Sequence, residues 1–334
     1  MAKIVFFEIE KWEEDYLKKS FGGQELTLTE DTLEASNAKQ YLNAEIISVF
    51  VYSNVSKEVL ELLPNLKFIT TRSMGYDHID LKYCKHKGIK VSYIPSYGSH
   101  TVAEHTFTLI LAISRKLVES VERARKGDFS SENLTGFDLF GKTLGVVGTG
   151  HIGANVCELG ISFGMKVLAF NHHEDSGLVE KGVKYLSLEE LLASSDIVTL
   201  HLPHTKETEH IINMQNIEKF KKGAVLINTA RGALVETQAI LYGLENGILK
   251  GAGLDVLEEE KVIREESEFL SKKFIDNMDY KTDLMNHVLL QREDVVITPH
   301  NAFNSNEALE EILEQTTANI NSYVKGTPIN LIGE

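Results

Sequence analysis

The stretch Thr143–Val156, T-L-G-V-V-G-T-G-H-I-G-A-N-V, constrains this chain more than any other. Leu144 to Val147 is a short apolar run of strand character. It feeds straight into Gly148, Gly150 and Gly153, and Ile152, Val156 and Leu159 then fall at helical spacing. A dinucleotide's diphosphate needs this order of strand, glycine turn and helix. One glycine makes the tight turn, one lets backbone N–H groups approach the phosphates, and one allows close helix packing. The helix N-terminus then faces the negative charge. In isolation G-x-G-x-x-G is as often a tight turn of no chemical interest, so the setting between strand and helix carries the reading. Thr149, His151 and Ile152 belong to the same turn and are expected to line the cofactor site.

At 334 residues the chain exceeds the usual single-domain size, which predicts two domains. Lys3–Glu8, Ile46–Val51, Lys67–Thr71 and Lys90–Tyr93 read as strands, with helices over Lys11–Lys19, Lys57–Leu63 and Asp80–Lys87. That alternation predicts an α/β fold with a parallel sheet covered on both faces, and this block carries no phosphate fingerprint. A long helix is expected from Thr101 to about Arg125, so apolar around its circumference that it should be buried between domains or at a subunit contact. Gly127–Gly141 reads as an irregular connector. The Rossmann-type unit then begins at Lys142 and continues through strands at Lys166–Phe170, Asp196–Leu200, Gly223–Asn228, Lys250–Asp255 and Val295–Ile297. Glu258–Asn286 is polar and reads as a surface excursion. A last helix over Asn306–Val324 is expected to cross back and pack on the first block. The expected division is 1–100 with 301–334 as the smaller domain and 101–300 as the dinucleotide-binding one.

A net charge of −15 argues against nucleic acid or an anionic membrane as partner, because phosphates would be repelled. An anionic small substrate then needs a local cation. Cys84 and Cys157 are the only cysteines, so a disulfide framework is not expected and a reducing, cytoplasmic setting is. The first residues are interrupted by Glu8 and Glu10 too soon for a signal peptide, and no apolar run approaches the ~20 residues of a membrane span.

Polar residues at the C-terminal ends of parallel strands face the ligand crevice. Arg231 follows V-L-I-N-T-A, Asp255 ends G-A-G-L-D, Glu260 lies just beyond it, and His300 follows V-V-I-T-P. Hydride transfer between a 2-hydroxy acid and a nicotinamide needs a cation for the carboxylate, a base for the hydroxyl proton and a group that steadies that base. Arg231 offers a bidentate fork, His300 exchanges a proton near neutral pH, and Glu260 would hold its tautomer and steady its charge. Taken singly, the arginine could equally be a surface ion-pair partner and the histidine a satisfied loop residue.

Together, G-V-V-G-T-G-H-I-G, L-I-N-T-A-R-G-A-L-V, G-L-D-V-L-E-E-E and V-I-T-P-H-N-A-F resemble the D-isomer-specific 2-hydroxyacid dehydrogenase family, and the likeness runs over essentially the whole chain. By resemblance, Arg231, Glu260 and His300 match the catalytic arginine, glutamate and histidine, and Asp255 is a supporting aspartate on the cofactor side. The resemblance also implies a flavodoxin-like substrate domain meeting the Rossmann-type domain at a cleft, and a homodimer, possibly a tetramer, formed through the helix after Ser99. T-R-S-M-G-Y-D-H-I-D, P-S-Y-G and H-N-A-F look most like the D-lactate dehydrogenases of that family. By that likeness Ser73, Met74 and Gly75 hold the substrate carboxylate with Arg231, and Tyr52, Tyr97 and Phe303 wall the side-chain pocket. Core packing is the alternative for the three aromatics. His201, Leu202 and Pro203, with Thr208, Thr229 and Ala230, would lie along the cofactor.

Two departures from the pattern bear on specificity. Tyr97-Gly98 stands where Tyr-Ser is usual, which implies a looser loop and an altered range of substrate size. Asn171, followed by His172 and His173, stands where an aspartate usually binds the adenosine ribose. Asn keeps hydrogen-bonding capacity but loses the repulsive charge, and Glu174 and Asp175 lie just beyond. The expectation is NAD with weakened discrimination against NADP. No metal is expected, since Glu104 and His105 lack H-E-x-x-H spacing and hydride transfer needs none. Pyruvate reduction to D-lactate is the expected reaction. The alternatives are a broader reductase of glyoxylate, hydroxypyruvate or branched 2-oxo acids and, against an intact Arg231/Glu260/His300 set, a non-catalytic dinucleotide sensor.

Overall fold

The structure, a computed structural model, describes residues 2–258 and 280–333. The chain divides into two compact units, Met1–Gly98 with Ser305–Glu334, and Ser99–Asn304. Phe303 therefore belongs to the same unit as His300.

The first unit holds five parallel strands, β1 (Lys3–Phe6), β2 (Glu25–Leu28), β3 (Ile46–Val49), β4 (Phe68–Thr71) and β5 (Lys90–Ser92), in the order β2-β1-β3-β4-β5. This is the doubly wound flavodoxin order. Alternate residues of β1 serve opposite faces. Ile4 and Phe6 pack with Leu17 of α1 (Glu13–Ser20) and with Leu313 and Ile320 of the last helix, while Val5 and Phe7 pack with Val59 and Leu60 of α2 (Lys57–Glu61) and Cys84 of α3 (Leu81–Lys87). Burial on both faces makes these strands read as continuous apolar runs. β2 lacks the apolar run that marks the other four strands, because it is an edge strand whose residues are only half-buried or exposed. The ends of α3 follow local chemistry: Asp80 caps the Tyr83 N–H at 2.9 Å, and Gly88, at φ 71, closes the C-terminus. The last helix, Asn306–Val324, is capped by Ser305 and packs on the first unit.

The second unit carries β6 (Thr143–Val147), β7 (Lys166–Phe170), β8 (Lys184–Tyr185), β9 (Ile197–Leu200), β10 (Ala224–Asn228), β11 (Leu249–Leu254) and β12 (Val295–Ile297). Their order is β12-β11-β10-β9-β6-β7-β8, all parallel, and it reverses between β6 and β9. In open sheets of this kind, ligands bind outside the carboxyl ends of the strands at that reversal. Helices α4 (Ser99–Ser114) and α6 (His151–Ser162) cover one face. Helices α8 (Leu188–Ser194), α9 (Thr237–Glu245) and α10 (Tyr280–Leu290) cover the other.

The single helix expected over Thr101–Arg125 is two. Lys116 adopts the left-handed conformation, φ 49 and ψ 45, and a separate α5 (Leu117–Arg125) follows. The cause lies in the connector. Phe137 N–H donates to the Ser114 carbonyl at 2.8 Å, and Gly136 passes so close to that carbonyl that any side chain would collide with it. α4 is buried as expected, whereas α5 has no buried residue. The excursion read over Glu258–Asn286 falls largely outside the described residues. Its end differs from expectation, since α10 begins at Tyr280 and buries Asn286. Among the described residues no helix is long and apolar enough to cross a membrane.

Candidate active site

At the reversal point the glycine turn is fixed from both sides. Gly148 N–H donates to the Phe170 carbonyl at 2.8 Å, and His201 N–H to the Val147 carbonyl at 2.8 Å. Gly148 has φ 95, and a Cβ there would stand 2.7 Å from the His201 carbonyl oxygen. A Cβ on Gly153 would run into the Gly148 carbonyl, so α6 can sit against the turn only without a side chain at that position. Gly150 is the N-cap of α6, with nothing within 4 Å of where its Cβ would stand and no side chain capping the helix. The first-turn N–H groups of α6 therefore have no capping side chain and stand beside a bare glycine backbone, a cradle that fits a dinucleotide's diphosphate. His151 is exposed and Ile152 half-buried at its rim. Thr149 is buried, and its Oγ1 accepts from the Tyr185 hydroxyl at 3.0 Å, which in turn accepts from Asp175 N–H at 3.1 Å.

Asn171 directly follows β7, half-buried, with Nδ2 donating to the His173 carbonyl at 3.1 Å. His172 and His173 are exposed. Asp175 caps α7 (Ser176–Glu180) by accepting from Leu178 N–H at 3.1 Å, so its charge is engaged by a helix terminus. Across the reversal, His201 Nε2 lies 2.9 Å from Thr199 Oγ1, and burial lowers the imidazole to about 3, leaving it neutral. Leu202 lies against Gly148. Thr208 is buried and holds the loop itself, donating to the Pro203 carbonyl at 2.6 Å and accepting from Thr205 N–H at 2.8 Å.

The carboxyl ends of β10, β11 and β12 carry the remaining groups side by side. Asn228 brackets the turn after β10, accepting from Ala230 N–H at 3.0 Å and donating to the Arg231 carbonyl at 2.8 Å. Arg231 is extended, and its Nη1 donates to the Ala230 carbonyl at 2.7 Å. Thr106 Oγ1 donates to the Val102 carbonyl at 2.8 Å, so Thr229, 2.9 Å away, donates to Thr106 and ties this turn to α4. Asp255 is 1% exposed. Its Oδ1 accepts from Thr298 Oγ1 at 2.5 Å and Asn301 N–H at 3.0 Å, and its Oδ2 from Ala302 N–H at 2.9 Å. Expected on the cofactor side, Asp255 has both carboxylate oxygens engaged by the loop that carries His300. His300 N–H donates to the Asp255 carbonyl at 2.8 Å, and its φ of 54 is left-handed, a conformation uncommon outside glycine. His105 Nε2 donates to Thr298 Oγ1 at 3.1 Å, so α4 also supports this loop. In the sequence His105 carries one signal of this role, a polar side chain on a largely apolar helix.

Glu260 lies outside the described residues. The chain is anchored up to Glu258, whose carboxylate contacts His210 Nε2 at 2.6 Å and caps α9 by accepting from Thr237 N–H at 3.0 Å. Among the described residues no group of three or more His, Cys, Asp or Glu is arranged to hold a metal.

In the first unit, Tyr52 is 49% exposed whereas Tyr97 is 6% exposed and packs as a core residue. The Ser73 hydroxyl closes its own turn, donating to the Gly75 carbonyl at 2.5 Å and accepting from Thr71 Oγ1 at 2.7 Å. Met74 and Gly75 are half-buried in the first unit, as Phe303 is in the second. Gly98 has φ 51, a conformation in which glycine is at ease and the serine usual there is not.

Residues 107–302 match the family model described as D-isomer specific 2-hydroxyacid dehydrogenase, NAD binding domain. The D-lactate dehydrogenase of Escherichia coli is 34% identical over 333 residues, 97% of each chain. The glyoxylate reductase of Thermococcus litoralis is 34% identical over 299 residues, 87% of this chain and 84% of that one. Among solved structures, D-lactate dehydrogenase from Aquifex aeolicus, complexed with NAD and lactic acid, superposes with a TM-score of 0.89 at 38% identity, covering 99% of both chains. The chain belongs to the D-isomer specific 2-hydroxyacid dehydrogenase family. It is an NAD-dependent D-2-hydroxyacid dehydrogenase, most like the D-lactate dehydrogenases.

Proposed function

We propose that the chain reduces pyruvate to D-lactate. The observation that carries this reading is the shared strand edge, on which Arg231, the Asp255-braced His300 loop and the glycine cradle all stand at the carboxyl end of one sheet. Arg231 pairs with the substrate carboxylate through its planar fork. His300, protonated, gives its proton to the oxygen on C2, with Glu260 steadying the imidazolium. Bound NADH supplies the hydride. Tyr52, Met74, Gly75, Tyr97 and Phe303 are the substrate-facing set in this reading. A broader 2-oxo acid reductase is the second reading, favoured by Gly98 and by 34% identity to a glyoxylate reductase over 299 residues.

The cofactor is NADH with weakened discrimination against NADPH, because Asn171 carries no charge and the Asp175 carboxylate is committed to α7. The protein works as a homodimer formed through α5. It works in a reducing cytoplasm, in keeping with two free, buried cysteines whose thiols burial pushes up to about 12.

A panel of 2-oxo acids with NADH and NADPH side by side, with chiral analysis of the product, tests this. Pyruvate with the highest kcat/KM and a D product is expected, and preference for glyoxylate or a bulky acid shifts the assignment to the second reading. A ratio of kcat/KM for NADH over NADPH above about 10⁴ would show charge discrimination intact. His300→Ala is expected to lower kcat by orders of magnitude while NADH binding survives, as for loss of a group acting in the transition state.

A further inference from the structure

The two first-unit loops that the proposed function assigns to substrate leave the carboxyl ends of β3 and β4, and both are held from beneath by charged residues with no assigned role. Glu8, just past β1, has φ 52, a left-handed backbone uncommon for a residue with a long side chain. Its carboxylate accepts three hydrogen bonds from the turn that presents Tyr52. Phe50 N–H and Ser53 Oγ donate to Oε2 at 2.8 and 2.5 Å, and Tyr52 N–H donates to Oε1 at 2.8 Å. The Glu8 carbonyl is itself held, accepting from Arg72 Nη2 at 2.5 Å, and the same Nη2 donates to the Phe7 carbonyl at 2.8 Å. Arg72, 2% exposed and immediately before Ser73, pairs through Nη1 with the buried Glu13 at 3.0 Å, and its guanidinium lies 5.6 Å from the Phe50 ring centroid. Glu13 reaches back to Glu10 N–H at 2.6 Å at the start of α1.

This is one connected, nearly fully satisfied network across the ends of β1, β3 and β4. An apolar core would close the sheet end at lower desolvation cost, since buried ion pairs are weak sources of stability. What this network supplies is placement: a fixed turn under Tyr52 and a fixed start for Ser73–Gly75. We propose that Glu8 and Arg72 are positioning residues that pre-form the 50–53 turn and the 73–75 turn for the 2-oxo acid, so that substrate affinity and side-chain preference depend on them. The inference rests on the 2-oxo acid reductase reading.

Glu8→Gln tests it at constant volume, because one amide hydrogen must then face a backbone N–H of the turn. KM for the preferred 2-oxo acid is expected to rise on the order of tenfold or more, by the cost of misplacing positioning groups. Under the same conditions kcat should fall less than KM rises, NADH affinity measured by fluorescence should stay as in the wild type, and amide exchange should quicken at Phe50 and Tyr52. Arg72→Lys, which loses the fork, should move KM the same way. An unchanged KM in both variants overturns the inference. A parallel loss of KM, kcat, NADH affinity and thermal stability also overturns it, since that marks a general structural role. If none of the 2-oxo acids supports NADH oxidation by the wild type, the reductase reading itself fails, and that silent wild type distinguishes this outcome from failure of the positioning inference.

Discussion

His201 shows how one residue links the cofactor turn to acid stability. Its carbonyl walls the Gly148 turn, and its ring is held neutral by burial, which moves the imidazole from an ordinary value near 6.5 down to about 3. Between those values the unfolded chain binds a proton that the folded chain does not. Stability from this site is therefore fully present above about pH 6.5 and is lost as pH falls, by up to about 1.4 kcal/mol per pH unit until the ring titrates in the fold. His201→Gln keeps a partner for Thr199 and removes the titration. Urea midpoints from pH 7 to pH 4 are expected to fall more steeply for the wild type than for the variant, and identical slopes would show that the imidazole is solvated. Asp255 acts differently, through the loop it braces.

The β6-turn-α6 unit separates two uses of glycine that look alike in the sequence. Gly150→Ala places a methyl in open space at an ordinary backbone conformation, so thermal stability should hold while NADH binding weakens where the diphosphate must approach. Gly153→Ala drives a methyl into the Gly148 carbonyl, and is expected to cost about 1–3 kcal/mol of stability as well as cofactor affinity. Calorimetry and NADH fluorescence titration on both variants check the contrast, and equal melting temperatures would remove it. The α4 and α5 break was hidden at this level for the opposite reason. Nothing local to Lys116 demands a left-handed residue, and the demand comes from Gly136 and Phe137 arriving at the Ser114 carbonyl.

The proposed homodimer bears on the face that this break sets apart. α5 leaves Leu117 52%, Val118 45% and Val121 39% exposed, and Phe129 on the connector is 87% exposed. Clustered apolar side chains of this kind mark an interaction face. Light scattering is expected to return twice the 37.4 kDa of one chain. Val118→Asp combined with Val121→Asp should shift the protein toward monomer without unfolding the second unit, whose core those residues do not enter. A wild type that scatters only as monomer would remove the dimer.

The sequence by itself determined whatever is written in short-range pattern. The glycine spacing defined the cofactor class, strand and helix alternation defined two parallel sheets, and Arg231 and His300 could be placed because they directly follow apolar strands. Each of these signals spans a few residues, so backbone sterics and side-chain periodicity suffice to read it. Only the tertiary structure decided what holds the site residues in place. Glu8 meets Tyr52 across 44 residues, Arg72 meets Glu13 across 59, and Asp255 meets Asn301 across 46. Pairings at such separations leave no period in the chain. They arise because parallel strands distant in sequence end side by side, where every buried donor and acceptor must find a partner.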